Sequence, residues 1–249
     1  MENLLEIRGL CKDYTDFTLR DVDLTVKPGQ IVGLIGENGA GKTTTLKAAT
    51  NIIFPSAGEI RLMGKSPADH EARAQVAVVF EDSFFYEGFN LLQVEKVMSS
   101  LGCVWNRERF FDECSRYGLP QKKPIKELSR GMRTKLNLAV AMAREPKLLI
   151  LDEATSGLDP VVRGELLDVF LDFIQDETRS VLISSHITDD LERVADEIAY
   201  IHRGTLLFQR EKDELLENMA VLRCSADDLE RLPNGLIQAK MKSAFGYAA

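Results

Sequence analysis

Residues 36–43 read GENGAGKT, small residues followed by a lysine and a hydroxyl at the spacing G-x-x-x-x-G-K-[ST]. That run suits phosphate chemistry. Small side chains let the backbone curl until successive N–H groups point inward at an anion. Gly36, Glu37, Asn38, Gly39, Ala40 and Gly41 would cradle phosphate oxygens, with Lys42 placing an ammonium on the β- and γ-phosphates. Thr43 would offer its hydroxyl to Mg²⁺, and Thr44 joins the same binding turn. The plain alternative is a glycine-rich turn with a chance lysine. A buried strand before the run and a helix after it, whose positive end faces the anion, favour the phosphate loop.

Two carboxylates stand where such a site needs them. LLILDE, residues 148–153, is four apolar residues ending in Asp152 and Glu153. A strand leaving the core there puts Asp152 at the carboxyl edge of a sheet, where α/β folds bind ligands. Asp152 suits the Mg²⁺ shell through water, because Mg²⁺ keeps several of its waters. Glu153, turned toward the γ-phosphate position, can polarise an attacking water, which makes hydrolysis the expectation. Without the phosphate loop this would read as a strand with a solvated acidic end. His186 follows another apolar strand, SVLISS, and LSRGM (128–132) and SGLDP (156–160) flank the acidic strand.

The elements that must hold these groups alternate. LLEIRGL, FTLRDVDLTV and EIRLMG have strand character, and QIVGLIG after Pro28-Gly29 is an almost unbroken apolar run, as burial on both faces requires. AQVAVVF, KLLILD and SVLISS follow the same pattern. Helical spacing marks 43–50, a mixed stretch from about 94 to 117, 132–144 and 161–176; Pro146 stops the third, and Pro160 suits the first turn of the fourth. The expected fold is α/β: a P-loop NTPase core with a mostly parallel sheet, an antiparallel β-subdomain from the early strands, and an inserted helical subdomain at about 84–145. EIAYIHRGTLLFQR reads as a closing hairpin. Residues 1–220 are expected to form one ATP-binding domain, with 221–249 a short tail.

Composition narrows the class further. The chain has 249 residues, 45% hydrophobic and 28% charged, which is globular composition. Acidic residues outnumber basic ones 39 to 31, for a net charge of −8, which disfavours a nucleic-acid partner. No stretch approaches the roughly 18 apolar residues of a membrane-spanning helix. The opening MENLLEIRGL lacks the pattern of a secretory signal. Cys11, Cys103, Cys114 and Cys224 have no CxxC spacing and are expected as reduced thiols. His70 and His202 attract no functional role.

GENGAGKT, LSRGM, LLILDE, SGLDP and SSH, in that order, resemble the nucleotide-binding subunit of an ATP-binding cassette (ABC) transporter from about Leu5 to Gln209. The resemblance implies an ATPase in which two cassettes pair head to tail. Each ATP then lies between one chain's phosphate loop and the other's signature, usually LSGGQ and here LSRGM. Ser129 and Gly131 stand where the family's serine hydroxyl and glycine amide meet the γ-phosphate. Physical chemistry agrees, since a serine N-cap and the first N–H groups of a helix form an anion site. In a lone chain Ser129 is a plain cap. By the same resemblance Tyr14 either stacks on adenine or simply packs, His186 contacts the γ-phosphate, and Asp159 lies on the loop that crosses to the partner. Catalysis falls to Glu153, His186 and Lys42.

Two departures stand out. Arg130 and Met132 replace a glycine and the glutamine of the signature; Arg130 either adds positive charge near the phosphates or faces solvent. Such a variant resembles cassettes of antibiotic-resistance and lantibiotic exporters. Glu81 aligns with the glutamine that reaches Mg²⁺, and the alternative is a surface acid. Phe84, Phe85, Tyr86 and Phe89 either pack in the helical subdomain or line a groove for a membrane partner's helix.

The resemblance implies ATP and Mg²⁺ as ligands, a second cassette (identical or not) and separate transmembrane permease subunits as partners, and a place on the cytoplasmic face of the membrane. Export is the expected direction, because the short tail ending SAFGYAA is similar to exporter-type cassettes. A soluble cassette acting without a membrane is the competing class. It is disfavoured by the single cassette, the missing zinc spacing and heptads, and the acidic balance. A degenerate cassette that only binds ATP is disfavoured by Lys42, Asp152, Glu153 and His186.

Overall fold

The computed structural model describes residues 2–80 and 85–218, and beyond them the backbone of short strands at 223–224, 241–243 and 246–248. From the amino end, β1 (Leu5–Asp13) and β2 (Thr18–Val26) pair antiparallel, and β3 (Ile31–Ile35) leads through the glycine-rich loop into α1 (Lys42–Ala49). β4 (Ala57–Leu62) returns to pair antiparallel with β1. The early strands therefore form the expected antiparallel sheet, in the order β2-β1-β4.

Next come α2 (His70–Ala74), β5 (Val76–Val79), α3 (Leu91–Ser100), α4 (Arg107–Arg116), α5 (Arg130–Met142) and β6 (Leu148–Asp152). They are followed by α6 (Pro160–Phe173), β7 (Ser180–Ser185), α7 (Thr188–Val194), β8 (Glu197–His202) and β9 (Thr205–Glu211). Six strands make the main sheet in the order β5-β6-β7-β3-β8-β9, and every pairing from β5 to β8 is parallel. Arg203 and Gly204, both at positive φ, turn β8 into β9 and complete the expected hairpin. All residues of β6 and β7 are buried, as a strand covered by helices on both faces requires.

Register explains why the chemistry collects at one edge. Ile35, the last residue of β3, pairs with Ser185 at the end of β7, and Asp152 at the end of β6 pairs with Ser184. The glycine-rich loop, Asp152 with Glu153, and His186 thus leave three neighbouring strands at their carboxyl ends, the crevice where parallel α/β sheets hold ligands.

Between β5 and β6 the helices have their own core of Leu91, Val94, Phe110, Leu119, Ile125, Leu136 and their neighbours. α5 serves two cores: Leu136, Ala139 and Val140 face the helical insert, whereas Leu138, Ala141 and Met142 pack under the main sheet with Leu149, Leu151 and Phe170. The mixed stretch expected from about 94 to 117 is two helices. Gly102 at φ 66 breaks it, and Asn106 caps a new start by accepting from the Arg109 N–H. α3 begins earlier than its spacing suggested, because Asn90 and Gln93 form a capping box.

The chain divides into two compact units, Met1–Arg210 and Glu211–Ala249. The second holds α8 (Lys212–Asn218) and an antiparallel sheet of β10 (Arg223–Cys224), β11 (Met241–Ser243) and β12 (Gly246–Ala248), in the order β10-β12-β11.

Candidate active site

The loop from Gly36 to Gly41 gets its shape from backbone that only small residues allow. A Cβ on Gly36 would lie 2.4 Å from the Ile201 carbonyl oxygen. Gly39 and Gly41 take φ of 81° and 114°, and a Cβ on Gly41 would meet Leu19 at 2.8 Å. Gly41 caps α1 without a side chain, so no cap side chain covers the first-turn N–H groups, which carry the helix's positive end. Glu37, Asn38 and Gly39 are exposed at the rim, Ala40 is buried, and Thr43 and Thr44 are half-buried on the first turn.

Lys42 is only 5% exposed. Its Nζ donates to the Gly36 carbonyl at 2.7 Å and the Glu37 carbonyl at 3.2 Å, and lies 3.1 Å from Glu153 Oε1. A buried ammonium among carbonyls and one carboxylate is poised to exchange those partners for phosphate oxygens. Asp152, 5% exposed, is oriented by the Ser184 hydroxyl, which donates to Oδ1 at 2.6 Å.

Glu153 occupies a left-handed conformation, φ 52°, and its N–H donates to the Ser184 carbonyl and hydroxyl. Such backbone costs about 1–3 kcal/mol in a non-glycine residue and is tolerated where neighbours fix it. The strained turn swings the carboxylate over the loop. Oε1 is buried beside Lys42 without a hydrogen bond of proper angle, and Oε2 lies 2.7 Å from His186 Nδ1. An ionised carboxylate only accepts, so a hydrogen bond between them has Nδ1–H as its donor. Lys42, Glu153 and His186 form one chain of contacts, and the expected catalytic residues are together.

The signature residues stand apart from that chain. Ser129 caps α5, its Oγ accepting from the Met132 N–H at 3.3 Å, and is exposed, as expected for a lone chain. Gly131 faces Val162 of α6. Arg130 does not simply face solvent: its guanidinium lies over Gly157, so close that a Cβ there would meet Nη1 at 2.5 Å. Asp159 caps α6, Oδ1 accepting from the N–H groups of Val161 and Val162 at 3.1 Å each. Tyr14 is 48% exposed on the β1–β2 turn, with Lys12 Nζ 5.6 Å from its ring centre and the Phe17 ring tilted against it at 6.5 Å. Phe85 and Phe89 pack on the helical core and Tyr86 is exposed, edge-on to Phe89. Glu81 and Phe84 lie outside the described residues.

Sequence reasoning missed Ser184, which orients both acidic residues. Its position, two before His186 in SSH, was the available signal.

Comparison with known proteins bears on the same residues. The family described as ABC transporter matches residues 19–156. Relatives include the ABC transporter ATP-binding protein YtrB of Bacillus subtilis, 30% identical over 226 residues (90% of this chain, 77% of that protein). The lantibiotic transport ATP-binding protein SrtF of Streptococcus pyogenes is 32% identical over 213 residues (84% and 92%). The bacitracin transport ATP-binding protein BcrA of Enterococcus faecalis is 31% identical over 220 residues (86% and 71%). Among solved structures, an ATP-binding subunit of an ABC transporter superimposes with TM-score 0.74 at 30% identity, over 86% of this chain and 92% of that one. cbiO1 from Clostridium perfringens shares the fold at the same TM-score and 24% identity, over 87% and 92%. With the phosphate loop, its lysine and both acidic residues standing on this sheet edge, the chain belongs to the ABC transporter family, as an ATP-binding subunit that hydrolyses ATP.

Proposed function

We propose that the chain powers export through separate membrane subunits, with two cassettes closing around two ATP molecules. One observation carries the hydrolytic half: Glu153 is held between the buried Lys42 and His186, at 3.1 and 2.7 Å. ATP docks with its phosphates on the N–H groups of residues 36–43 and Lys42 transfers from Glu153 to the phosphate oxygens. The freed Glu153 then takes a proton from water as that water attacks the γ-phosphorus in line. His186 holds the carboxylate and the γ-phosphate, and a partner's Ser129 and Gly131 close the far side.

Were Mg²⁺ bound, Thr43 and Asp152 would hold it through the donors it prefers, a hydroxyl and a carboxylate oxygen. Among the described residues no group of three or more His, Cys, Asp or Glu could hold a metal by itself. That fits a cation carried in with the nucleotide. Glu81 is proposed as a further carboxylate near it, Tyr14 as the adenine platform and Asp159 as the residue reaching the partner. In this reading residues 1–220 are the cassette, with its helical subdomain at about 84–145, and 221–249 the tail.

Among the described residues no helix is long and apolar enough to cross a membrane. The proposed location is the cytoplasmic face, on permease subunits. A cavity of about 320 Å³ between the core and the helical insert, lined by Ile52, Val78, Cys103, Val104 and Arg144, supports a docking place for them. The likeness to the lantibiotic and bacitracin transport proteins supports transport as the work done, and export is the direction proposed for it. The test is Glu153→Gln: phosphate release should fall at least about 100-fold while nucleotide still binds. Unchanged turnover would defeat the hydrolytic reading.

A further inference from the structure

Asp190 is a carboxylate that the reaction described above does not use. It is 3% exposed, on the first turn of α7, four residues after His186. Arg163 on α6 faces it, Nη1 lying 3.9 Å from Oδ1, while Asp190 Oδ2 and Arg163 Nε are buried without hydrogen-bond partners. The other side of the same guanidinium donates from Nη2 to the Leu158 carbonyl at 3.3 Å. Leu158 belongs to SGLDP and directly precedes Asp159. One planar cation thus joins two segments: the loop before α6, and the helix that follows His186.

α7 is also packed against the main sheet, with Leu191 and Val194 in its core. Leu191, next to Asp190, packs on β3 so closely that a Cβ on Gly33 would lie 3.0 Å from both its methyl groups. Farther along the two helices a second pair, Arg193–Asp168 at 2.6 Å, is exposed to water. Screening makes such a surface pair a weak tie, whereas a buried charge needs its counter-charge. Arginine suits the position, because its planar fork presents donors in fixed directions to the carbonyl on one side and the carboxylate on the other.

We propose that Arg163 is a positioning residue: it ties the Ser156–Asp159 loop to Asp190, so that seating of a second cassette on that loop sets where His186 stands against Glu153. The coupling to a second cassette rests on the paired reading above; the tie itself does not. Contact made at the seam is carried by Leu158 and Arg163 to the start of α7, and from there over four residues to the imidazole. In the single chain His186 already stands 2.7 Å from Glu153, and seating of the partner shifts it from there through this link.

The experiment uses the full chain as Arg163→Gln, Arg163→Lys and Asp190→Asn, with Arg193→Gln as the exposed-pair control. ¹⁵N-histidine spectra are read at fixed pH; the chain has three histidines. In Arg163→Gln and Asp190→Asn the His186 resonances should move while those of His70 and His202 stay. Turnover at saturating ATP should fall about tenfold with nucleotide affinity changed less than about twofold. The double variant should be no worse than either single one, because both cut one link. Arg163→Lys keeps the buried charge and serves if the glutamine variant does not fold; it should show the same signature with a smaller loss. Arg193→Gln should leave all readings unchanged. Stationary His186 resonances in folded Arg163 variants overturn the proposal, as does a loss confined to affinity. Should Glu153→Gln leave turnover intact, the hydrolytic reading falls, and the histidine spectra still decide the tie.

Discussion

At the residue scale, the arrangement turns on Glu153 and an incoming phosphate competing for Lys42. The carboxylate 3.1 Å from the ammonium stands in for what a phosphate would offer. Replacing each partner should therefore move nucleotide affinity in opposite directions. Lys42→Met should weaken ATP binding by at least about tenfold, since a charge-assisted contact is lost, and Glu153→Gln should tighten it by removing a negative charge. Equilibrium titration with a fluorescent nucleotide reads both, and a Glu153→Gln chain that binds less tightly than the parent would count against the exchange. Gly36→Ala tests the loop's geometry. Its Cβ would sit 2.4 Å from a backbone oxygen, so something must shift, at about 1–3 kcal/mol, with a lower melting temperature and weaker nucleotide binding together. The types and spacing of Lys42, Asp152, Glu153 and His186 were legible in the sequence because each motif abuts an apolar run that must be a strand. The left-handed turn at Glu153 and the Ser184 contacts were not, because they depend on strand register rather than on any local pattern.

At the element scale, the sequence marks buried strands well, because both-face burial leaves an uninterrupted apolar run; β3, β6 and β7 appear where expected. Short helices leave less trace. α2 and α7 have five and seven residues, too few for an apolar face to repeat, and the break between α3 and α4 rests on Gly102 and the Asn106 cap. α4 carries an alkaline liability of its own. Burial pushes the Cys114 thiol from 9.0 up to about 12, and burial beside Glu113 raises the Tyr117 phenol as well. Both groups are neutral when protonated, so the folded chain holds their protons to higher pH than the unfolded chain does. Stability is unaffected by them below pH 9 and falls as pH rises from there toward 12. The slope from Cys114 alone is up to about 1.4 kcal/mol per pH unit. Urea midpoints at pH 8.0, 9.5 and 10.5 should fall in that order, and Cys114→Ala should flatten the first part of the decline. A midpoint independent of pH over that range would show that the thiol is not shielded.

At the scale of the whole molecule, the question is why a chain would place a phosphate-ready serine on the far element from its own phosphate loop. Ser129 opens α5, at the end of the helical insert, whereas Lys42 opens α1 at the sheet edge. Within one chain the serine serves only its own helix. In the head-to-tail pair proposed above every reaction centre would be made of Lys42 from one protomer and Ser129 from the other, and that division makes a prediction about mixtures. Lys42→Met and Ser129→Arg chains are each expected to be inactive alone, since both centres of either pair carry a lesion. When the two are mixed, half the pairs contain one of each. In these mixed pairs one centre collects both lesions and the other none. Phosphate release should then return to about a quarter of the parent's rate, given equal pairing and independent centres. Turnover of the parent should also fall more steeply than in proportion on dilution, as pairs separate. A mixture that releases no more phosphate than its two components measured apart would mean that each chain completes its own centre, and the seam would have no part in the chemistry.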